Sequence, residues 1–309
     1  MALPSGGVLL GCHHSLEGIV GAVGIGYLAH APADMIRITT NPAPQPRFGE
    51  TVVMAPDARR DDMVALATRV YRGFERCVSA GCRFKRKGLC PATCDSACAR
   101  KLVYAAACDG DEVAEAIHRY LRLGFSEGPR MRDLVSRGEF AQLDDLARRT
   151  LSECERTRQF VRFSELRDGS FLAVFRPQAD TLPLTIKHFI ARMGDERFCI
   201  VDPVPGTAAF YDGCGLRGKR GSHAIARLDR ELIDRLVQRD DYAADEHYVR
   251  AMWKRFYDSL ALPGRGKDDR GYDLRMHWMP KRYWGGLTEL DPGSDAGVGH
   301  VPRRYANAG

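Results

Sequence analysis

The chain lacks any apolar run of about 18 residues or more, the length at which a segment becomes a candidate transmembrane helix. Its first residues also lack the basic and apolar stretches of a secretory signal peptide. These absences exclude a helical membrane protein and indicate a protein that stays in the cytoplasm. We therefore expect its ten cysteines to be reduced thiols or metal ligands, because disulfides persist mainly in oxidising compartments.

The motifs of several common enzyme classes are also missing. The chain has no phosphate-binding P-loop, no G-x-S-x-G motif and no H-E-x-x-H motif. Gly21, Gly24 and Gly26 have the spacing G-x-x-G-x-G, whereas the dinucleotide-binding fingerprint is G-x-G-x-x-G. Motifs of these kinds therefore assign no reaction.

What is present is an ordinary globular composition with an excess of positive charge. Of the 309 residues, 44% are hydrophobic and 28% are charged, which is typical of a folded domain. The length is sufficient for one large or two ordinary domains. The formal net charge of +6 permits a polyanionic partner without requiring one.

Hydrophobic periodicity predicts an α+β fold in three segments. Residues 1–159 read as a helix-rich N-terminal region, and residues 160–262 as an α+β region in which a small mixed sheet packs against helices. Residues 263–309 read as a basic and aromatic C-terminal segment, an irregular strap followed by a tail. Asp168 and Gly169 predict the turn of a hairpin between strands at 161–166 and 170–175.

Three further local predictions follow from residue patterns. Gly124 is placed to end a helix that begins near residue 112. Residues 160–163 alternate as in a strand, with Phe160 and Arg162 on one face. In a helix over 248–260, one apolar side is expected to face the core; it comprises Tyr248, Met252, Phe256 and either Leu260 or Trp253.

Half of the cysteines lie in one basic insert, residues 77–100. They are Cys77, Cys82, Cys90, Cys94 and Cys98. Four thiolates can hold Zn²⁺ or an iron–sulfur cluster, so we predict a zinc or iron–sulfur site here. The spacing differs from the Cys-x2-Cys pairs of common zinc modules and from the Cys-x3-Cys-x2-Cys of radical-SAM enzymes. The alternative is an inserted loop with free thiols.

Aromatic and basic residues are interleaved near residue 280. Lys281, Arg282, Tyr283 and Trp284 are consecutive, and Trp278 lies just before them. Cations neutralise phosphates and flat rings stack on unpaired bases, so this pattern suits nucleic acid. The alternative is a C-terminal strap whose rings pack into the main body.

Three segments of the chain resemble one protein family. They are residues 157–166 (TRQFVRFSEL), 182–192 (LPLTIKHFIAR) and 279–289 (MPKRYWGGLTE). Together they are similar to a bacterial family assigned to DNA repair or DNA metabolism. Its members typically accompany a radical-SAM protein of DNA-modifying type, and a similar domain occurs fused to a uracil-DNA glycosylase-like domain. The resemblance implies a role near DNA but no known reaction.

With the resemblance, the sequence yields two functional hypotheses. The first is an accessory protein that binds single-stranded or damaged DNA and works with a radical-SAM partner; its nucleic-acid-binding candidates are Arg162, Arg192, Lys281, Arg282, Tyr283 and Trp284. The alternative is a nucleic-acid-processing enzyme, glycosylase- or hydrolase-like, that uses His188 as acid or base. For Arg162 and His188, purely structural roles remain the competing interpretations. A third class is a structural interaction module.

Overall fold

The computed structural model describes residues 7–79, 95–213, 221–238, 241–259 and 279–288. The chain divides into two compact units. Unit 1 comprises Met1–Ser152 and Gln178–Asp180, and unit 2 comprises Glu153–Pro177 and Thr181–Gly309. The segment boundaries expected from composition, after residues 159 and 262, stay a prediction.

Unit 1 contains a parallel three-stranded sheet at its N-terminal end. Strand β1 (Gly7–Gly11) lies between β2 (Ile36–Thr39) and β3 (Glu50–Met54) and pairs in parallel with both. Because β1 is the central strand, its apolar residues are buried. The parallel pairing of these strands is a tertiary feature that local sequence patterns do not reveal.

Two helices follow the strands of this sheet and pack closely against each other. Helix α1 (Leu16–Leu28) begins at Ser15, whose Oγ accepts a hydrogen bond from the Gly18 N–H at 3.1 Å. Its glycines do not break it. A Cβ at Gly24 would lie 2.7 Å from Leu66 Cγ of helix α2 (Asp61–Val78), so the glycine allows the close approach of the two helices.

The core of unit 1 is completed by α3 (Asp95–Ala107), α4 (Val113–Glu127) and the part of the long helix α5 (Gly138–Phe160) that precedes Glu153. The prediction that Gly124 ends its helix is wrong. Helix α4 continues to Glu127 and ends at Gly128, whose φ is +56°. Gly124 is instead a packing position, since a Cβ there would lie 2.1 Å from Phe74 Cε2.

Unit 2 is built on a mixed five-stranded sheet in the order β4-β5-β6-β7-β8. The strands are β4 (Ser164–Glu165), β5 (Phe171–Val174), β6 (Phe198–Asp202), β7 (Thr207–Tyr211) and β8 (His223–Arg227). Only the β5–β6 pair is parallel, and helix α6 (Leu182–Met193) connects these two strands. The predicted hairpin through Asp168 and Gly169 is confirmed as β4–β5, with shorter strands than expected.

Alternate residues of the sheet in unit 2 enter two separate cores. Phe198 and Ile200 of β6 pack in one core with Ile186 and Phe189 of α6. On the other side, Val201 packs with Ile233 of helix α7 (Arg230–Val237). This alternation is the period of two that strand geometry imposes.

Two local predictions in unit 2 are wrong. Residues 160–163 do not form a strand, because α5 extends to Phe160 and the Val161 N–H still donates to the Thr157 carbonyl at 3.2 Å. In helix α8 (Glu246–Ser259), Met252, Trp253 and Phe256 are exposed, whereas Ala251 is buried. Leu260 lies outside the described residues.

The mixed α+β fold predicted from the sequence is confirmed. None of the helices within the described ranges has both the length and the apolar character that crossing a membrane requires.

Candidate nucleic-acid surface and aromatic anchor

Tyr283 anchors the C-terminal part of unit 2. It lies in a short 3₁₀ helix, Lys281–Gly286, that begins after Pro280. The Tyr283 ring is 1% exposed and stacks on Phe175, with ring centroids 4.6 Å apart and planes 12° apart. Phe160 lies at 6.0 Å on a second stacked contact. The ring is therefore a core residue, as the strap interpretation of this segment expected.

A buried carboxylate fixes the polar end of the same ring. The Tyr283 hydroxyl donates to Glu153 Oε2 at 2.5 Å, and Arg282 Nη2 donates to Glu153 Oε1 at 2.6 Å. Arg156 Nη1 donates to the same Oε1 at 2.7 Å. The Glu153 side chain is only 6% exposed. The two guanidinium groups supply the positive charge that balances its buried carboxylate.

The electrostatics of this cluster favour a structural role. The pKa of Tyr283 is raised, first by burial of the phenol and then by its hydrogen bond to Glu153 and the charge of that carboxylate. The hydroxyl also accepts from Arg282 Nη2 at 2.8 Å. We call Glu153, Arg156, Arg282 and Tyr283 the anchor cluster. Within it, Arg282 and Tyr283 are engaged inside the protein.

The two other residues of the aromatic-basic block have different environments. Lys281 is exposed, with its Nζ 6.0 Å from the centroid of the Trp284 ring. Trp284 is half-buried against the core of unit 2, and its Nε1 donates to the Met279 carbonyl at 3.0 Å. Of the four consecutive residues, Lys281 is the one whose side chain is exposed to solvent.

Helix α6 presents a cationic outer face. Its inner side buries Leu182, Thr185, Ile186 and Phe189, as the helical spacing requires. Its outer side exposes Lys187, His188 and Arg192. We call these three residues the α6 face. Lys187 and Arg192 make no ion pair with a carboxylate in the part of the chain that the structure describes.

Neighbouring cations act on the imidazole of His188. Its pKa is lowered, first by partial burial and then by the positive charges of Arg158 and Arg192, while Glu155 acts in the opposite direction. Arg158 therefore extends the α6 face onto the last turn of α5, although it also pairs with Glu155 at 2.5 Å. At neutral pH the imidazole is predominantly neutral and lies among cations.

Arg162 is placed apart from these groups. Its Nη1 donates to the Gln159 carbonyl at 2.7 Å, and its guanidinium carbon lies 5.7 Å from the Trp253 ring centroid. This geometry is a cation–π contact with α8. The structure thus brings His188 and Arg192 together and gives Arg162 a separate environment.

Only part of the predicted metal site lies in the described residues. Cys77 Sγ is 3.6 Å from the Gly124 carbonyl, and the buried Cys98 accepts a hydrogen bond on its carbonyl from Tyr120 at 3.2 Å. Cys82, Cys90 and Cys94 lie outside the described residues. Across residues 7–79, 95–213 and the later described ranges, no group of three or more His, Cys, Asp or Glu could hold a metal ion.

Sequence reasoning did not identify Glu153 and Arg156. Both lie one turn or less before Thr157, the first residue of the first family-like segment. Thr157 Oγ1 donates to the Glu153 carbonyl at 2.7 Å, which is the ordinary i to i−4 relation on a helix. The position of Glu153, one helical turn before that segment, is the sequence signal for this carboxylate.

Comparison with known proteins assigns residues 111–289 to one domain family. The model of DUF4130, described as a domain of unknown function, matches residues 111–289, more than half of the chain. No curated protein matches the chain. Among solved structures, RecJ from Thermus thermophilus in complex with Mn²⁺ is similar at 11% identity and a TM-score of 0.30. That match covers 76% of this chain and 53% of the RecJ chain, so the chain spans about half of the length of RecJ.

Proposed function

The chain belongs to the DUF4130 domain family, and we propose that it is an accessory DNA-binding protein of DNA repair or modification. The observation that carries the proposal is the α6 face. Its cations are exposed and lie within the region that the family model matches.

The charges of the α6 face suit a phosphate backbone. Lys187 and Arg192 have no carboxylate in ion-pair distance among the described residues, so a bound phosphate would not have to displace an internal partner. A protein that neutralises phosphates releases counterions, and this release makes binding strongly salt-dependent. The net charge of +6 acts in the same direction by favouring the approach of a polyanion.

Single-stranded or damaged DNA is the form that we propose as substrate. Lys281 and Trp284 support this choice, because an exposed cation lies beside a partly exposed indole in one 3₁₀ turn. Bases that are not paired can stack on such a ring, whereas paired bases are inaccessible to it. A radical-SAM protein as partner is supported by the resemblance of the three family-like segments.

Fluorescence anisotropy with labelled DNA of about 20 nucleotides, long enough to cover one binding site, tests the proposal. We expect salt-dependent binding, tighter for single-stranded than for duplex DNA. Changing Lys187 and Arg192 together to Gln should reduce the slope of log affinity against log salt by about one to two. The matched control changes Arg230 and Arg235 of α7 to Gln, because these two are already paired with Asp234 and Glu231. Absence of binding to either DNA form at low salt would sink the proposal.

The lowered pKa of His188 favours the enzyme alternative in one respect. A neutral imidazole can accept a proton at neutral pH, as a general base must. Turnover of damaged DNA by the isolated chain, lost in His188→Ala without loss of folding, would establish this second candidate. A chain that is inert alone and active only with its partner would leave the accessory function.

We also propose that the insert at residues 77–100 binds zinc or an iron–sulfur cluster through four of its five cysteines. The support is the cysteine density in a basic segment. Elemental analysis and an absorption spectrum after anaerobic purification should show about one zinc or a cluster per chain. Metal-free protein of unchanged stability would leave the free-thiol interpretation.

A further inference from the structure

Helix α2 carries a second set of cations, in unit 1 and outside the residues matched by the family model. Its inner side buries Met63, Leu66, Ala67, Phe74 and Val78. Its outer side exposes Arg69, Arg72 and Arg76, which follow the i, i+3, i+7 spacing of one helical face. We call these three residues the α2 arginine face.

Within the described residues, these arginines take part in no ion pair. Elsewhere in unit 1 arginines have carboxylate partners, as in Arg37–Glu50 and Arg60–Asp62, each at 2.9 Å. By contrast, no carboxylate within the described ranges forms an ion pair with Arg69, Arg72 or Arg76. The one polar contact of the set among the described residues is local, from Arg76 Nε to the Arg72 carbonyl at 3.3 Å. Their charge is therefore available to an external anion.

The α2 arginine face borders an open groove of about 610 Å³, lined by Ala65, Thr68, Arg69, Arg72, Glu75 and Arg76. Among these described lining residues none is large and apolar, and Glu75 is the one carboxylate. This part of the lining therefore offers positive charge to a partner. The chain that follows α2, residues 80–94, contains four cations and no carboxylate in sequence.

We propose that the α2 arginine face binds the phosphate backbone of nucleic acid. Guanidinium groups form bidentate hydrogen bonds to phosphate, which makes arginine well suited to this role. The helix rises about 1.5 Å per residue, so Arg69 and Arg76 are about 10 Å apart along its axis. One strand of duplex DNA presents a phosphate about every 3.4 Å of axis, so the span of about 10 Å from Arg69 to Arg76 covers about four successive phosphates, and the three guanidinium groups can reach phosphates along that span.

This inference rests on the proposed function only in taking nucleic acid as the partner. It adds a contact surface that is independent of the α6 face and lies in the other unit. An acidic polypeptide is the competing anion. It is disfavoured because guanidinium groups form bidentate hydrogen bonds to phosphate, and the three arginines lie along one helix face over a length that covers several successive phosphates.

The test uses the full chain with Arg69, Arg72 and Arg76 changed together to Gln. The probe is the same labelled DNA, single-stranded and duplex, with polyglutamate as the competing anion. The matched control changes Arg119, Arg148 and Arg149 to Gln, because these arginines of unit 1 are paired with Glu115, Asp144 and Asp145. Circular dichroism and thermal unfolding establish that both triple variants are folded.

We expect the α2 triple variant to lose about two to three units of the salt slope, about one per phosphate contact, and the control to keep the slope of the parent. Parental DNA binding by the α2 variant would overturn the inference, even if the Lys187 and Arg192 variant loses binding and thereby upholds the proposed function. Displacement of DNA by polyglutamate at equal charge concentration would also overturn it. If the α2 variant loses salt slope while the Lys187 and Arg192 variant keeps the slope of the parent, the inference is upheld and the result counts against the α6 face.

Discussion

Two clusters of cations in unit 2 have similar composition and opposite environments. In the anchor cluster, Arg156 and Arg282 both donate to the buried Glu153 carboxylate, which neutralises part of their positive charge inside the protein. On the α6 face, Lys187 and Arg192 are exposed and make no ion pair within the described part of the chain. Proximity of a basic residue to an aromatic one in the sequence therefore does not identify a nucleic-acid contact. The position of the nearest carboxylate decides between the two roles.

The largest effect that should separate the two clusters comes from Glu153. Glu153→Leu leaves the partly buried side chains of Arg156 and Arg282 without the counter-charge that they share. Removing one partner of a buried ion pair typically destabilises by about 3–5 kcal/mol, and we expect a loss of that size. Urea unfolding measures it. Stability within error of the parent would show that the anchor cluster does not hold unit 2 together.

A smaller effect is expected from Tyr283→Phe. This change keeps the ring stacked on Phe175 and removes only the hydroxyl that donates to Glu153. Hydrogen bonds to charged groups contribute about 1.5–3 kcal/mol, so unfolding free energy should fall by that amount. Tyr283→Ala serves as the upper reference, because loss of a buried aromatic ring costs about 3–5 kcal/mol. Equal losses in both variants would mean that the ring contributes nothing beyond its hydroxyl.

Trp284 tests the border between the two environments. Trp284→Phe retains a ring but removes the Nε1 hydrogen bond to the Met279 carbonyl. A neutral hydrogen bond contributes about 0.5–1.5 kcal/mol, so we expect a destabilisation in that range with little change in single-strand affinity. Trp284→Ala should lower both quantities if the ring anchors the segment and also stacks on a base. Unchanged stability in both variants would assign Trp284 to stacking alone.

Much of the fold could be predicted because its signals are local. Local signals define the bounds of helix α6, since Pro183 lies in its first turn and Gly194, with φ of +65°, follows its last residue. Strand β8 was missed because it is exposed along most of its length and lacks an alternating apolar pattern. The parallel pairing of β1 with β2 and β3 joins residues far apart in sequence, so no local pattern of residues predicts it.

The candidate site was predicted only in part for the same reason. His188 and Arg192 are four residues apart on one helix, so their proximity follows from helical geometry. Arg282 and Glu153 are 129 residues apart, so no local sequence pattern reveals their contact. Pattern alone could not decide whether residues 281–284 face solvent or the interior, because basic and aromatic residues are compatible with both.

The smallest effect concerns the pH dependence of DNA binding through His188. The pKa of this residue lies below its ordinary value of 6.5 because of burial and the cations Arg158 and Arg192. In the free protein its protonation is therefore disfavoured, and folding stability should decrease slightly as pH falls below about 6.5. A bound phosphate would offset the neighbouring cations and raise the pKa, so DNA binding would take up a proton. Affinity should then increase by a few-fold between about pH 7.5 and about pH 5.5, a window chosen around the ordinary histidine value.

His188→Gln isolates this contribution, since it keeps a polar side chain of similar reach that does not titrate. The variant should bind DNA like the parent at the upper end of that window, about pH 7.5, and should show a flatter increase in affinity toward its lower end. Because the chain contains nine histidines, the difference between parent and variant is the quantity that matters. The same pH profile in both proteins would show that phosphate does not approach His188, and it would leave Lys187 and Arg192 as the remaining candidate contacts on the α6 face.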